Sequence, residues 1–220
     1  MSKHENWYQK IPGEKFTHPI PKNPGEVFGF CNFAQFYLNT FNELPENSTI
    51  VEIGTSAGCS TAWMTSFIRG SGKPMNFYSI DPLPDLYGEE AFGTYSQEFD
   101  VPMYQLFLRN MKSMDLLRYV NHLRMDHAAA ADLFEDDSID FVFLDGDHGT
   151  EATERAIDKW LPKINKKTGI IAGHDYDWDT VKQAVANKFQ FGIETWGTCW
   201  IRRFKKDASI TVSELDFSDL

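Results

Sequence analysis

The chain is short of cysteine, of positive charge and of long apolar runs, and each shortage removes a class of protein. Its three cysteines, Cys31, Cys59 and Cys199, stand far apart with no C-x-x-C pair. That excludes a disulfide framework and a cysteine-built zinc site, and it suits a reducing compartment. Lys and Arg number 21 against 32 Asp and Glu, a formal net charge of −11, with a pI near 4.9. A surface this acidic repels phosphate backbones and anionic lipid, so neither nucleic acid nor membrane is expected as a partner. The one basic cluster, Arg202-Arg203-Phe204-Lys205-Lys206, reads as a strand end on a solvated face. Nowhere do the roughly eighteen apolar residues of a membrane span run together, and Met1-Ser2-Lys3-His4-Glu5-Asn6-Trp7 has no apolar leader. The expected location is the cytoplasm. Internal repeats and low-complexity tracts are also lacking, and 220 residues at 42% hydrophobic content make one domain with a proper core.

What is present centres on Val51-Glu52-Ile53-Gly54-Thr55-Ser56-Ala57-Gly58-Cys59-Ser60-Thr61. An apolar, β-branched run (Thr49, Ile50, Val51, Ile53) breaks at two glycines and resumes as a helical pattern through Ala62, Met64, Phe67 and Ile68. A buried strand feeding a glycine turn and a helix start presents backbone N–H groups to a ligand. Gly54 lets the chain turn, and Gly58 is expected to let a ligand approach the backbone closely. The spacing is neither the dinucleotide G-x-G-x-x-G nor the phosphate loop, whose last glycine is followed by Lys and Ser or Thr. Cys59-Ser60 follows here, so a bound triphosphate is not expected. A second apolar run, Tyr78-Ser79-Ile80-Asp81, ends in an acid about where a ribose-binding carboxylate sits one βαβ unit on.

Glu52, Gly54 and Gly58, read as acidic-x-Gly-x-x-x-Gly, resemble the first motif of class I S-adenosylmethionine (SAM)-dependent methyltransferases. The resemblance implies SAM contacts from Glu52, Gly54, Thr55, Ser56, Gly58 and Ser60 in the turn, with Asp81 on the ribose hydroxyls. It also makes Asp126 and His127, just past an expected third strand over Val120–Met125, candidates to frame the adenine. Their other reading is as loop-capping residues.

The second informative stretch is Ile139-Asp140-Phe141-Val142-Phe143-Leu144-Asp145-Gly146-Asp147-His148. Its continuous apolar run marks a strand buried on both faces, and it ends in two carboxylates and a histidine around a glycine. The following strand, Thr168–Gly173, also ends in polar residues, His174-Asp175-Tyr176-Asp177. If these strands are neighbours about 4.8 Å apart, Asp145, His174 and Asp175 converge on one rim. Like charges that close raise each other's pKa unless a cation lies between them, so a divalent metal is expected. The arrangement resembles metal-dependent O-methyltransferases of the catechol type and of the antibiotic-sugar type related to cephalosporin-hydroxylase-like proteins. By motif, the resemblance implies that Asp145 and Asp175 ligate the metal, with Asp145 also near the cofactor, and that His148 is the general base. A hydrogen-bonded loop histidine is the plainer reading of His148. Position 174 departs from the family's acidic residue. Histidine can still ligate, and it shifts preference from Mg²⁺ toward Mn²⁺, Fe²⁺ or Zn²⁺.

Around these stretches, residues 1–44 read as an N-terminal arm carrying Pro12, Pro19, Pro21 and Pro24, then a helix from Glu26 to Phe41 that is apolar nearly all round. The arm is a candidate homo-oligomer contact. The helix covers either the acceptor pocket or a core or subunit surface. Pro82 to Asp100 is a long loop with Tyr87, Phe92, Tyr95 and Phe99, suited to a small organic acceptor. A helix is expected over Pro102–Leu117, a short one over Ala128–Phe134, and others over Thr150–Leu161 and Val181–Lys188, the last capped by Asp177 or Asp179. Gly192–Thr195 and Cys199–Phe204 flank Trp196-Gly197-Thr198, a hairpin signal. The expected fold is one α/β Rossmann-like domain over residues 45–205, then a tail over 206–220. Its seven-stranded, mostly parallel sheet carries helices on both faces and a C-terminal antiparallel hairpin. The expected activity is SAM-dependent, metal-assisted O-methylation of a small-molecule hydroxyl, on a sugar or a vicinal diol, with Mg²⁺, Mn²⁺ or Fe²⁺. Two alternatives stay open: an iron-dependent oxygenase built on His148, His174 and a carboxylate, and a non-catalytic SAM-binding module.

Overall fold

A computed structural model describes residues 19–83 and 103–204. The expectations placed on the arm before residue 19, on most of the Pro82–Asp100 loop and on the tail lie outside the described residues. Among those residues, no helix is long and apolar enough to cross a membrane.

Seven strands form one sheet in the order β3-β2-β1-β4-β5-β7-β6. They are β1 (Thr49–Ile53), β2 (Asn76–Ile80), β3 (Asn121–Leu123), β4 (Phe141–Leu144), β5 (Ile170–Gly173), β6 (Glu194–Trp196) and β7 (Cys199–Arg203). The first five run parallel, and β7 pairs antiparallel with both β5 and β6. The expected fold class is therefore the one observed. Side-chain alternation along the strands divides the core in two. Val51, Ile53, Val142, Leu144 and Ile171 point to one face, where Ala131, Ile157, Trp160 and Val185 cover them. Ile50, Phe141, Phe143, Ile170 and Ala172 point to the other, under Phe36, Tyr37, Phe41, Met64 and Ile68. The first cover comes from α4 (His127–Ala131), α5 (Thr150–Trp160) and α6 (Asp179–Lys188), the second from α1 (Ala34–Glu43) and α2 (Cys59–Ser71). A sixth helix, α3 (Met103–Ser113), packs Leu106, Phe107 and Met111 against Ala57 and Ala62.

Three local expectations are corrected. The helix expected from Glu26 begins only at Ala34, and Pro24–Glu26 form a single 3₁₀ turn. Gly29 at φ +137° lets residues 27–33 cross the start of α2, where an added Cβ would come 3.1 Å from Cys59 Cβ. Close passage over a neighbouring helix thus overrides the apolar helical pattern. The helix expected to Leu117 stops at Ser113, and Leu117–Tyr119 form a separate 3₁₀ turn. At α6 the N-cap is Trp178, whose side chain makes no capping bond, rather than Asp177 or Asp179.

Candidate active site

Strand order reverses between β1 and β4, and in a parallel sheet the ligand crevice opens there, beyond the carboxyl ends. The turn after β1 meets the turn after β4 directly. Gly54 has φ +91°, and a Cβ at that position would sit 1.8 Å from the carbonyl oxygen of Asp145. Only glycine fits, because the two backbones touch. Gly58 has another reason. It adopts φ +92°, and its missing Cβ makes room for the Phe107 ring, 2.9 Å away. Packing of α3 is by itself enough to require that glycine.

Asp81 braces the same turn. Its Oδ2 accepts from the backbone N–H groups of Thr55 and Ser56 at 2.9 and 3.0 Å, and its Oδ1 from Leu83 N–H at 2.9 Å. Thr55 is buried and bonded through Oγ1 to Ser79, whereas Ser56 is exposed at φ +46°. A non-glycine residue held in the left-handed region marks a turn fixed by its surroundings. Glu52 lies beneath the turn, 1% exposed. It accepts hydrogen bonds from Tyr37 Oη at 2.9 Å and from Thr61 Oγ1. Burial pushes its carboxyl up to about 7, against the lowering pull of bonds from Ser60, Thr61 and Tyr37. Gly54, Thr55, Ser56 and Asp81 therefore form one braced turn beyond β1 and β2, above Glu52. On the far side, Asp126 caps α4 by accepting from Ala128 and Ala129 N–H. His127 Nδ1 lies 3.4 Å from the indole nitrogen of Trp160. His127 also lines a cavity with Ile53, Leu144, Gly146, Ala152 and His174.

The β4–β5 register pairs Leu144 with Gly173, so Asp145 and His174 leave the sheet side by side. His174 Nδ1 lies 3.4 Å from Asp145 Oδ1 and 3.2 Å from Asp175 Oδ2. One ligand atom from each of the three residues falls within 4.8 Å of the others. His148 joins them, its Nδ1 at 3.2 Å from Asp175 Oδ2. Asp175 itself sits at φ +54°, a second strained site residue. Burial raises the Asp145 carboxyl above its ordinary value. Burial also works against charge on His174, but hydrogen bonds and charge from Asp145 and Asp175 outweigh it and push the imidazole up to about 9. For Asp175 the penalty of burial is overcome by the His174 bond, and its pKa falls. A pair of half-buried carboxylates with one imidazole is a donor set that fits a divalent first-row ion.

Sequence reasoning missed four neighbours. Asn32 Oδ1 and Thr198 Oγ1 lie 3.0 and 2.8 Å from His174 Nε2. The Phe33 ring packs on the same imidazole at 4.6 Å. Trp178, 51% exposed, meets the His148 ring edge-on at 5.1 Å. Only Thr198 had a usable signal, since the hairpin that carries it pairs with β5 and so returns to the rim.

Residues 51–176 match a family described as a methyltransferase domain, which covers more than half of the chain. The chain belongs to this family. One relative, the uncharacterized protein y4gI of Sinorhizobium fredii (strain NBRC 101917 / NGR234), is 25% identical over 126 residues. That match takes in 57% of this chain but only 13% of the relative's length. Among solved structures, the O-methyltransferase NovP superposes with a TM-score of 0.60 at 20% identity, over 80% of this chain and 78% of its own. A SAM-dependent O-methyltransferase from Thermotoga maritima superposes with a TM-score of 0.57 at 14% identity, over 81% and 67%. These likenesses show the fold that the chain shares with those enzymes, and residues 51–176 form a methyltransferase domain. Membership favours the methyltransferase reading over the oxygenase alternative.

Proposed function

We propose that this methyltransferase moves the methyl group of SAM to a hydroxyl oxygen of a small molecule, a sugar or a vicinal diol, with a divalent ion held by Asp145, His174 and Asp175. One observation carries the reading. The three ligand atoms lie within 4.8 Å of one another, on the strand end whose backbone touches the glycine turn at Gly54. Methyl donor and acceptor hydroxyl would then share one crevice. The O-methyltransferase neighbours support oxygen as the acceptor atom.

The chain's own residues divide the work. Asp81, Thr55 and Ser56 hold the rim against which the ribose rests, and His127, Ile53 and Leu144 offer a flat apolar slot for the adenine. Asp145, His174 and Asp175 would hold the ion, which would supply Lewis-acid activation of the acceptor hydroxyl. His148 faces Asp175 through Nδ1, so Nε2 keeps the lone pair and receives the hydroxyl proton as the oxygen replaces sulfur at the methyl carbon. Alignment of sulfur, carbon and oxygen supplies much of the rest. The test is turnover on a panel of sugars and vicinal diols, before and after chelation, with SAM affinity followed by calorimetry. Chelation is expected to leave SAM binding intact, and chelation and Asp145→Ala are each expected to slow transfer by at least about 10²-fold. Undiminished transfer in both would end the metal-assisted reading.

A further inference from the structure

The far nitrogen of His174 is held by two residues from remote parts of the chain. Asn32 belongs to the segment that crosses α2 before α1, and Thr198 to the turn between β6 and β7. Resting on the proposed metal site, we infer that Asn32 and Thr198 are positioning residues. They fix the His174 imidazole with a proton on Nε2 and with Nδ1 turned to Asp145 and Asp175, as the nitrogen ligand for an ion of the Mn²⁺ to Zn²⁺ range.

The argument is one of donor and acceptor counting. Three atoms close a triangle: His174 Nε2 to Asn32 Oδ1 at 3.0 Å, His174 Nε2 to Thr198 Oγ1 at 2.8 Å, and Thr198 Oγ1 to Asn32 Oδ1 at 3.2 Å. An amide oxygen only accepts, and a hydroxyl has one hydrogen to give. The Thr198 hydroxyl donates to Asn32 Oδ1, so the two remaining edges are filled only if Nε2 carries a hydrogen. A bare Nε2 would face the lone pairs of Oδ1 at 3.0 Å with no proton between them. With Nε2–H committed to Asn32 and Thr198, Nδ1, whose proton the two carboxylates hold in the ion-free chain, is the nitrogen left to an ion. It is aimed correctly, at 3.4 Å from Asp145 Oδ1 and 3.2 Å from Asp175 Oδ2. The ring cannot readily turn away, because it is 8% exposed and packed on Phe33. Hydrogen bonding at the second nitrogen is the usual device for orienting a ligating histidine and raising its basicity. An imidazole so prepared favours first-row transition ions, whereas Mg²⁺ prefers oxygen ligands and its own waters. The segment 27–33 thereby joins the site, since seating Asn32 and Phe33 completes the histidine.

The experiment titrates the full chain, freed of metal, with Mn²⁺ followed by electron paramagnetic resonance, and with Mg²⁺ by competition. Asn32→Ala and Thr198→Val are each expected to weaken Mn²⁺ binding by about 10–100-fold. Thr198→Ser is expected to restore it, and the Mg²⁺ constant should move less in all three. Asn32 is exposed, so its removal tests the idea even if the Thr198 hydroxyl proves necessary for folding. Nitrogen-15 spectra of histidine-labelled, Zn²⁺-loaded protein should show the His174 proton on Nε2 and the metal on Nδ1. A proton on Nδ1 in that spectrum overturns the inference. So does wild-type Mn²⁺ affinity in both single variants while Asp145→Ala loses the ion, an outcome that leaves the metal site standing. Wild-type affinity in Asp145→Ala removes the metal site itself, and this inference with it.

Discussion

Asp81 at the end of β2 and Asp145 at the end of β4 are acids in equivalent places on one sheet, yet their surroundings differ in kind. Asp81 is met by three backbone N–H groups, and its neighbour Glu52 by hydroxyls of Tyr37 and Thr61. These donors are neutral, fixed by the fold, and do not dissociate. Asp145 and Asp175 instead face imidazoles, His174 for the first and both His174 and His148 for the second. An imidazole can give way to, or bind, a metal ion. One half of the crevice is therefore built to hold a shape, and the other to exchange a cation or a proton. A cofactor bound by its outline and a reaction that moves a proton ask for those two halves respectively.

The halves meet at Gly54, and breaking that seam should have the largest effect. A Cβ at residue 54 would lie 1.8 Å from the Asp145 carbonyl oxygen, backbone against backbone, at φ +91°. Gly54→Ala is expected to cost more than about 4 kcal/mol, enough to leave little folded protein. Gly58→Ala is the control, with the same positive φ but a Phe107 ring at 2.9 Å that can shift, and should cost about 1–3 kcal/mol. Urea unfolding of both decides the matter. Equal losses would mean that the two turns are not locked together.

Chemistry offers the next contrast. His148→Ala should slow transfer by about 10²–10⁴-fold while leaving SAM affinity unchanged, because its partner is Asp175 and not the glycine turn. Unchanged turnover would reduce His148 to a loop histidine. Asp81→Ala should do the reverse, weakening SAM by on the order of 100-fold through lost charge-assisted hydrogen bonds, with Mn²⁺ affinity preserved. Calorimetry with each ligand separates the two outcomes, and a variant that weakened both ligands equally would dissolve the distinction between the halves.

The same contrast explains what could be read in advance. Asp145, His174 and Asp175 were legible because each follows a continuous apolar run. Parallel neighbours bring their carboxyl ends to one edge, so the strand pattern alone implies the meeting. The hairpin was legible from Trp196-Gly197-Thr198. The start of α1 was not, because the apolar pattern runs through Val27, Phe28, Phe30 and Phe33 without a break. What ends the helix there is a contact of Gly29 with Cys59, which is invisible until both are placed. The part Phe107 plays at Gly58 was hidden for a related reason: a glycine in a turn announces that space is needed, but not which neighbour needs it. Asn32 lies 142 residues from His174, and no local pattern marks it. Long-range hydrogen bonds to a side chain are settled by packing, and packing has no short sequence signature.

The smallest expected effect concerns the floor of the rigid half. Glu52 has its folded pKa raised from 4.5 to about 7, so the folded chain prefers the protonated carboxyl more than the unfolded chain does. Its contribution to stability is then complete below about pH 4.5, declines as pH rises, and is spent above about 7. Glu52→Gln removes the titration while keeping an acceptor for Tyr37. The variant's stability relative to the parent should therefore grow by about 2 kcal/mol between about pH 5.5 and 7.5, measured as the difference of two urea midpoints so that the histidines cancel. A parent that gains stability over that range relative to the variant would show Glu52 to be favoured as the anion. The floor of the cofactor crevice would then belong with the exchangeable half rather than the fixed one.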